Sequence, residues 1–170
     1  MFTIGTKVVH PLHGLGTVDS IEEKAILGQI SKYACISFSG DRLRIMVNLR
    51  QKNSMIRPLI NSDEISKVMD HLRDSDGTLP TRSSDRYSLN IKKIKSCDIY
   101  QLAEVIRDLT GLSQNHKLSP KEQQMLKSAR KTLAVEFSYV NGKNEEEMEA
   151  EIDETCRHES SDAELLVAVN

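Results

Sequence analysis

The stretch FTIGTKVVHPLHGLGTV, residues 2–18, decides how the first third of the chain folds. Lys7-Val8-Val9-His10 reads as a short strand, stopped by Pro11, whose ring removes a backbone N–H and fixes φ. Gly14 and Gly16 bracket a tight turn. Beyond them Thr17-Val18-Asp19-Ser20-Ile21 alternates apolar and polar residues with the period of two that a half-buried strand requires.

Outward from this stretch the pattern repeats. Gly28 marks the next turn, Tyr33-Ala34-Cys35-Ile36-Ser37-Phe38 keeps the same period, and Ser39-Gly40-Asp41 is a hairpin turn. Leu43-Arg44-Ile45-Met46-Val47 and Met55-Ile56-Arg57 supply two more strands. Five short strands with small turns predict a strongly bent sheet or barrel of the SH3 or Tudor type over residues 1–60.

From residue 61 the period changes to about 3.6. Asn61-Ser62-Asp63-Glu64 starts a helix whose apolar face is Ile65, Val68, Met69 and Leu72. Asp74 to Pro80 is a breaker cluster, so residues 61–79 read as a helix and linker, and the second domain starts at 80. Residues 80–157 predict four helices, over about Ser84–Lys95 and Asp98–Leu112, from Ser119 to Asn141, and over Glu145–Cys156. The third has the sharpest local signal, Ser119-Pro120-Lys121-Glu122. Here Ser caps, Pro takes the first helical position and Glu can bond back to the cap. Gly142 ends that helix, and residues 158–170 are expected to be a disordered tail. The fold class is therefore α+β, a small β-domain followed by an all-α helical domain.

Composition bounds the function. Hydrophobic residues make up 38% and charged residues 28%, enough for a packed core. No apolar run approaches the roughly 18 residues of a membrane helix, and the N-terminus lacks a signal-peptide layout. Cys35, Cys97 and Cys156 form neither a disulfide framework nor a zinc-ligand spacing, which fits a reducing cytosol. The net charge of −2 is unevenly spread: about +1 over 1–79, +6 over 80–131 and −9 over 132–170. Such a basic middle suits nucleic acid; solvated helix faces of mixed charge are the plainer alternative.

No catalytic constellation stands out. Gly14-Leu15-Gly16 lacks the lysine and following helix of a phosphate loop. His10 and His13 lack a third ligand beside them, so no metal is expected, and no Ser or Cys sits in a nucleophile elbow. The basic helices remain. Lys92, Lys93 and Lys95 share one helix, Lys127, Arg130 and Lys131 another, and Arg82 and Arg86 flank the start of the first. They would bind phosphates with a strong salt dependence, and nothing among them reads bases.

The opening F-x-x-G-x-x-V-V-H-P-x-H-G-x-G-x-V, Phe2 to Val18, resembles the start of CarD/CdnL proteins, whose first module is shared with the transcription-repair coupling factor. The second half is similar too, in Arg86-Tyr87, Asn90, Leu102 to Leu109, Leu118-Ser119, Met125-Leu126 and Ala129-Arg130. The resemblance covers about residues 1–157. It implies a non-enzymatic, cytoplasmic bacterial transcription regulator, monomeric, with no cofactor, membrane or small-molecule substrate. Its Tudor-like module would pair by a sheet edge with the RNA polymerase β-subunit. On this sequence the implied surface is Lys24, Ala25 and Ile26, running to Leu27, with Arg44 and Met46; Met46 stands where some members carry Arg.

The family's helical domain sits on promoter DNA at the upstream edge of the transcription bubble and wedges a Trp into the minor groove. The implied DNA contacts are Arg82, Ser83, Arg86, Lys92, Lys93, Lys127 and Arg130. Ser83 occupies the wedge position, and the chain has no Trp. Two functions are consistent with this: modulation of open-complex stability on polymerase and DNA, or an interaction module that makes little use of DNA.

Overall fold

The computed structural model describes residues 2–26, 28–38, 41–51, 55–74 and 78–167, without the side chains of 41–42 and 158–167. Leu27, Ser39-Gly40 of the expected hairpin turn, residues 75–77 of the breaker cluster and residues 168–170 lie outside the described residues. The chain forms two compact units, Met1–Leu59 and Ile60–Asn170.

The first unit contains β1 (Lys7–His10), β2 (Gly14–Ile26), β3 (Gln29–Phe38), β4 (Asp41–Asn48) and β5 (Arg57–Pro58). They make one antiparallel sheet in the order β4-β3-β2-β1-β5. Alternation buries Val8, Val18, Ala34, Ile36 and Phe38 with Ile56, while Ile45, Val47 and Leu49 close over them. A bulge between Val18 and Ser20 bends β2. The unit is thus the Tudor/SH3-like module expected for an α+β chain.

The glycines of the opening stretch act differently from the expected turn. The turn is Pro11-Leu12-His13, and both Gly14 and Gly16 belong to β2. Gly14 leaves the turn with φ 71°, in the left-handed region. Gly16 is needed for contact: a Cβ there would lie 2.7 Å from Ile36 Cγ2 and 2.8 Å from Phe38 Cε1. Both neighbours are buried and cannot swing away, so Gly16→Ala should cost about 1–3 kcal/mol. Denaturant unfolding would read this as a lower midpoint at unchanged slope; an unchanged midpoint would mean that the wall yields freely.

The second unit holds α1 (Ser62–Arg73), α2 (Ser83–Lys95), α3 (Ile99–Asn115), α4 (Pro120–Asn141) and α5 (Glu145–Val167). Its core runs from Ile60 through Leu72, Leu109, Leu133 and Phe137 to Ile152. Helix α4 is central, packing on α1, α2, α3 and α5. The capping box at Ser119 forms, with the Glu122 carboxylate accepting the Ser119 N–H at 2.8 Å.

The unit boundary falls at 59/60, well before the breaker cluster. Helix α1 buries Val68, Met69 and Leu72 in the helical core, and the Ile60 N–H donates to the buried Glu136 carboxylate at 3.1 Å. The breaker cluster thus falls within the second unit. Helix α5 also continues to Val167, past Cys156 and into the segment expected to be disordered.

Candidate functional site

Among the candidate residues of the helical unit, Arg86 lies where α2 meets α4. Buried Arg86 holds this corner together. Its Nε donates to Glu122 Oε1 at 2.7 Å, and its Nη1 donates to the carbonyls of Pro80 (3.1 Å) and Thr81 (2.6 Å). Glu122 is fully buried, with its other oxygen accepting both the N–H and the hydroxyl of Ser119. Burial pushes its carboxyl up, but the bonds from Arg86 and Ser119 outweigh this and hold it below the usual value. One ion pair thereby fixes the approach to α2, its first turn and the start of α4.

Outside this pair lie Arg82, the cap residue of α2, and Ser83, its first residue, both exposed. Lys92 and Lys127 are exposed as well, and neither forms an ion pair among the described residues. Lys95 and Lys131 extend the same set. Lys121 also belongs here, its Nζ 5.7 Å from the centre of the half-buried Tyr87 ring. The packing of α4 on α2 makes that contact, and no local sequence signal announced it.

Three of the seven expected DNA residues are instead committed to the fold. Arg86 is sequestered as described. Lys93, with a side chain 20% exposed, pairs with Glu104 at 2.9 Å and Asp108 at 3.4 Å, tying α2 to α3. Arg130 donates to Thr110 Oγ1 at 2.9 Å and pairs with Asp153 at 2.8 Å, joining α4 to α3 and α5. The physical reason is the central place of α4, whose buried surface is wider than a single stripe and reaches Arg130. On α2, a step of about 100° separates outward Lys92 from inward Lys93.

The β-unit offers a second surface. Strand β4 is an edge, and no strand pairs with its outer side among the described residues. Arg44 and Met46 project from it, 76% exposed at the Arg44 side chain and 49% at Met46. Lys24 reaches across β3 to within 3.1 Å of Met46 Sδ, so these two come together on one face. Each cation has an acidic neighbour on this face, Glu22 at 3.1 Å from Lys24 and Asp19 at 3.4 Å from Arg44. Ala25 and Ile26 lie at the far end of the β2–β3 hairpin, paired with Ile30 and Gln29, and both are exposed.

Among the described residues, no group of three or more His, Cys, Asp or Glu could hold a metal ion. His10 and His13 stack on each other at 4.6 Å. Burial pushes the Cys156 thiol up to about 11, the reverse of an activated nucleophile. No helix of the described residues is long and apolar enough to cross a membrane.

A bent antiparallel sheet with an open edge, followed by a helical unit that exposes several cations, defines a two-unit α+β protein. Residues 2–60 match the CarD-like/TRCF RID domain, and residues 67–153 match the CarD C-terminal domain. A Bacillus subtilis (strain 168) protein named "Putative transcription factor YdeB" is 32% identical over 153 residues, covering 88% of this chain and 99% of the relative. The chain belongs to the CarD family and is a CarD-like transcription regulator.

Proposed function

We propose that this regulator docks on the RNA polymerase β-subunit through the outer edge of β4 and lays its helical unit on promoter DNA beside the bubble, in the cytoplasm and without catalysis. The observation that carries the proposal is that Arg82, Lys92 and Lys127 are exposed and form no ion pair among the described residues, while the buried Arg86–Glu122 pair fixes the first turn of α2 next to Arg82 and Ser83. Cations free of internal partners release counterions from DNA, whereas Lys93 and Arg130 would first have to break their ion pairs. Lys24, Arg44, Met46, Ala25 and Ile26 form the polymerase side. There, main-chain pairing supplies affinity and side chains supply register.

The test separates free from committed cations. Neutralising Arg82, Lys92 and Lys127 to Gln should flatten the plot of log affinity against log salt by about 2–3, near 0.9 per lost phosphate contact. Lys93→Gln with Arg130→Gln should leave the slope alone and lower stability instead. An unchanged slope in the first variant would sink the DNA face.

Ser83 favours a second reading, an interaction module with little DNA contribution. Ser cannot fill an unstacked base step as an apolar wedge does. Open-complex lifetime decides between them: a lengthened lifetime supports the DNA reading, and polymerase binding without a change supports the module.

A further inference from the structure

The β-unit has one more feature, a cavity of about 390 Å³ where β4 ends. Phe2, Ile30 and Leu49 form its apolar wall, and Glu23, Lys32 and Arg50 its charged rim. The topology explains it. Pairing between β3 and the chain after β4 ends with the Leu49 N–H donating to Lys32 at 2.9 Å. The β2–β3 hairpin continues outward to Ile26 and Gln29. Gln29 to Ser31 therefore pair with β2 alone among the described residues, and Ile30 is left 65% exposed.

The rim is electrically unbalanced. Lys32 pairs with Glu23 at 3.7 Å. Exposed Arg50 shares the rim with Glu23 but forms no ion pair among the described residues, and its backbone N–H is held by Asn48 at 2.9 Å. An apolar wall beside an uncompensated guanidinium suits an extended segment that carries a large aliphatic residue next to an acid. The cavity lies just past the end of β4, beside the Gln29–Ser31 edge of β3, so a strand that runs along β4 and past its end comes up against it.

We infer that this notch is a side-chain pocket for the partner strand that adds to β4, seating an aliphatic side chain among Phe2, Ile30 and Leu49 and a carboxylate on Arg50. The inference rests on the polymerase-docking reading and names what selects the docked segment. Main-chain pairing along β4 tolerates many sequences, whereas a pocket filled by one side chain sets the register and chooses the partner.

Binding of the full-length protein to purified core RNA polymerase tests it, with Ile30→Glu, Arg50→Glu and Arg44→Glu compared with wild type. Ile30 and Arg50 are exposed, so both pocket variants should fold, which circular dichroism checks. Each should weaken binding about tenfold or more, as loss of a central anchor does, and Arg44→Glu should weaken it as well. Arg44→Glu weak with the pocket variants unchanged overturns the pocket alone. Wild-type affinity in all three variants overturns the pocket and the docking reading together.

Discussion

Replacing Arg86 with Ala should lower the stability of the helical unit by about 3–5 kcal/mol, because it leaves the fully buried Glu122 carboxylate without its cation. That is a large share of the 5–15 kcal/mol that usually holds a domain together. The loss spreads beyond one pair, since the carbonyls of Pro80 and Thr81 lose their donor and the first turn of α2 loses its tether. Arg86→Lys should rescue only part of it, as a single ammonium cannot reproduce the guanidinium's divergent donors. Adding Glu122→Gln to Arg86→Met should recover stability, because no charge then remains buried and the amide oxygen can still accept from Ser119. Thermal unfolding of the four variants checks this. A stable Arg86→Ala protein with a flattened salt slope for DNA would instead make Arg86 a phosphate ligand. The pair also has a pH signature. The Glu122 carboxyl lies below its usual value in the fold, so its contribution is present above the ordinary carboxylate range and is lost as pH falls through the folded value.

Acidification should weaken the β-unit at a higher pH, through His10. Burial first, and the neighbouring His13 second, lower its pKa from 6.5 to about 4. Its ring packs edge-on against Phe38 with centroids 6.0 Å apart, and its Nδ1 accepts the Leu12 N–H at 3.2 Å, a bond that protonation there would destroy. The unfolded chain takes up a proton near pH 6.5 and the folded chain does not, so stability falls as pH drops. The slope is about 1.4 kcal/mol per pH unit, and the loss approaches about 3 kcal/mol once the folded pKa is reached. Between about pH 6.5 and 5 most carboxylates have not begun to titrate, so this window reports the imidazole. Urea unfolding at several pH values should show the slope in wild type and its absence in His10→Gln. A flat profile above pH 5, or a slope that survives the substitution, would rule out His10 as its source.

Much of this molecule was legible before any coordinate. The change of hydrophobic period from two to 3.6 near residue 61 reflects local geometry that every strand and helix must obey, and it separated sheet from bundle. The Ser119-Pro120-Lys121-Glu122 box is equally local, since cap and acceptor lie within one turn. Gly16 was harder. Its sequence context reads as a turn, and only the proximity of Ile36 and Phe38, about twenty residues away, shows that it makes room for packing.

The sequence by itself determined the fold class, the two kinds of element and the family, because period, caps and motif order are written into neighbouring residues. Tertiary structure decided which cations are free and that α1 belongs to the helical unit. Lys92 and Lys93 are adjacent and chemically identical, yet α3 claims one with Glu104 and Asp108 and leaves the other in solvent. Arg86 and Arg82 differ in the same way, through a carboxylate 36 residues further along the chain from Arg86. Helix α1 joins the bundle because its apolar face finds a core there, whatever the breaker residues in the sequence after it suggest. Exposure and charge pairing depend on which surfaces meet, and that is fixed by packing between distant segments.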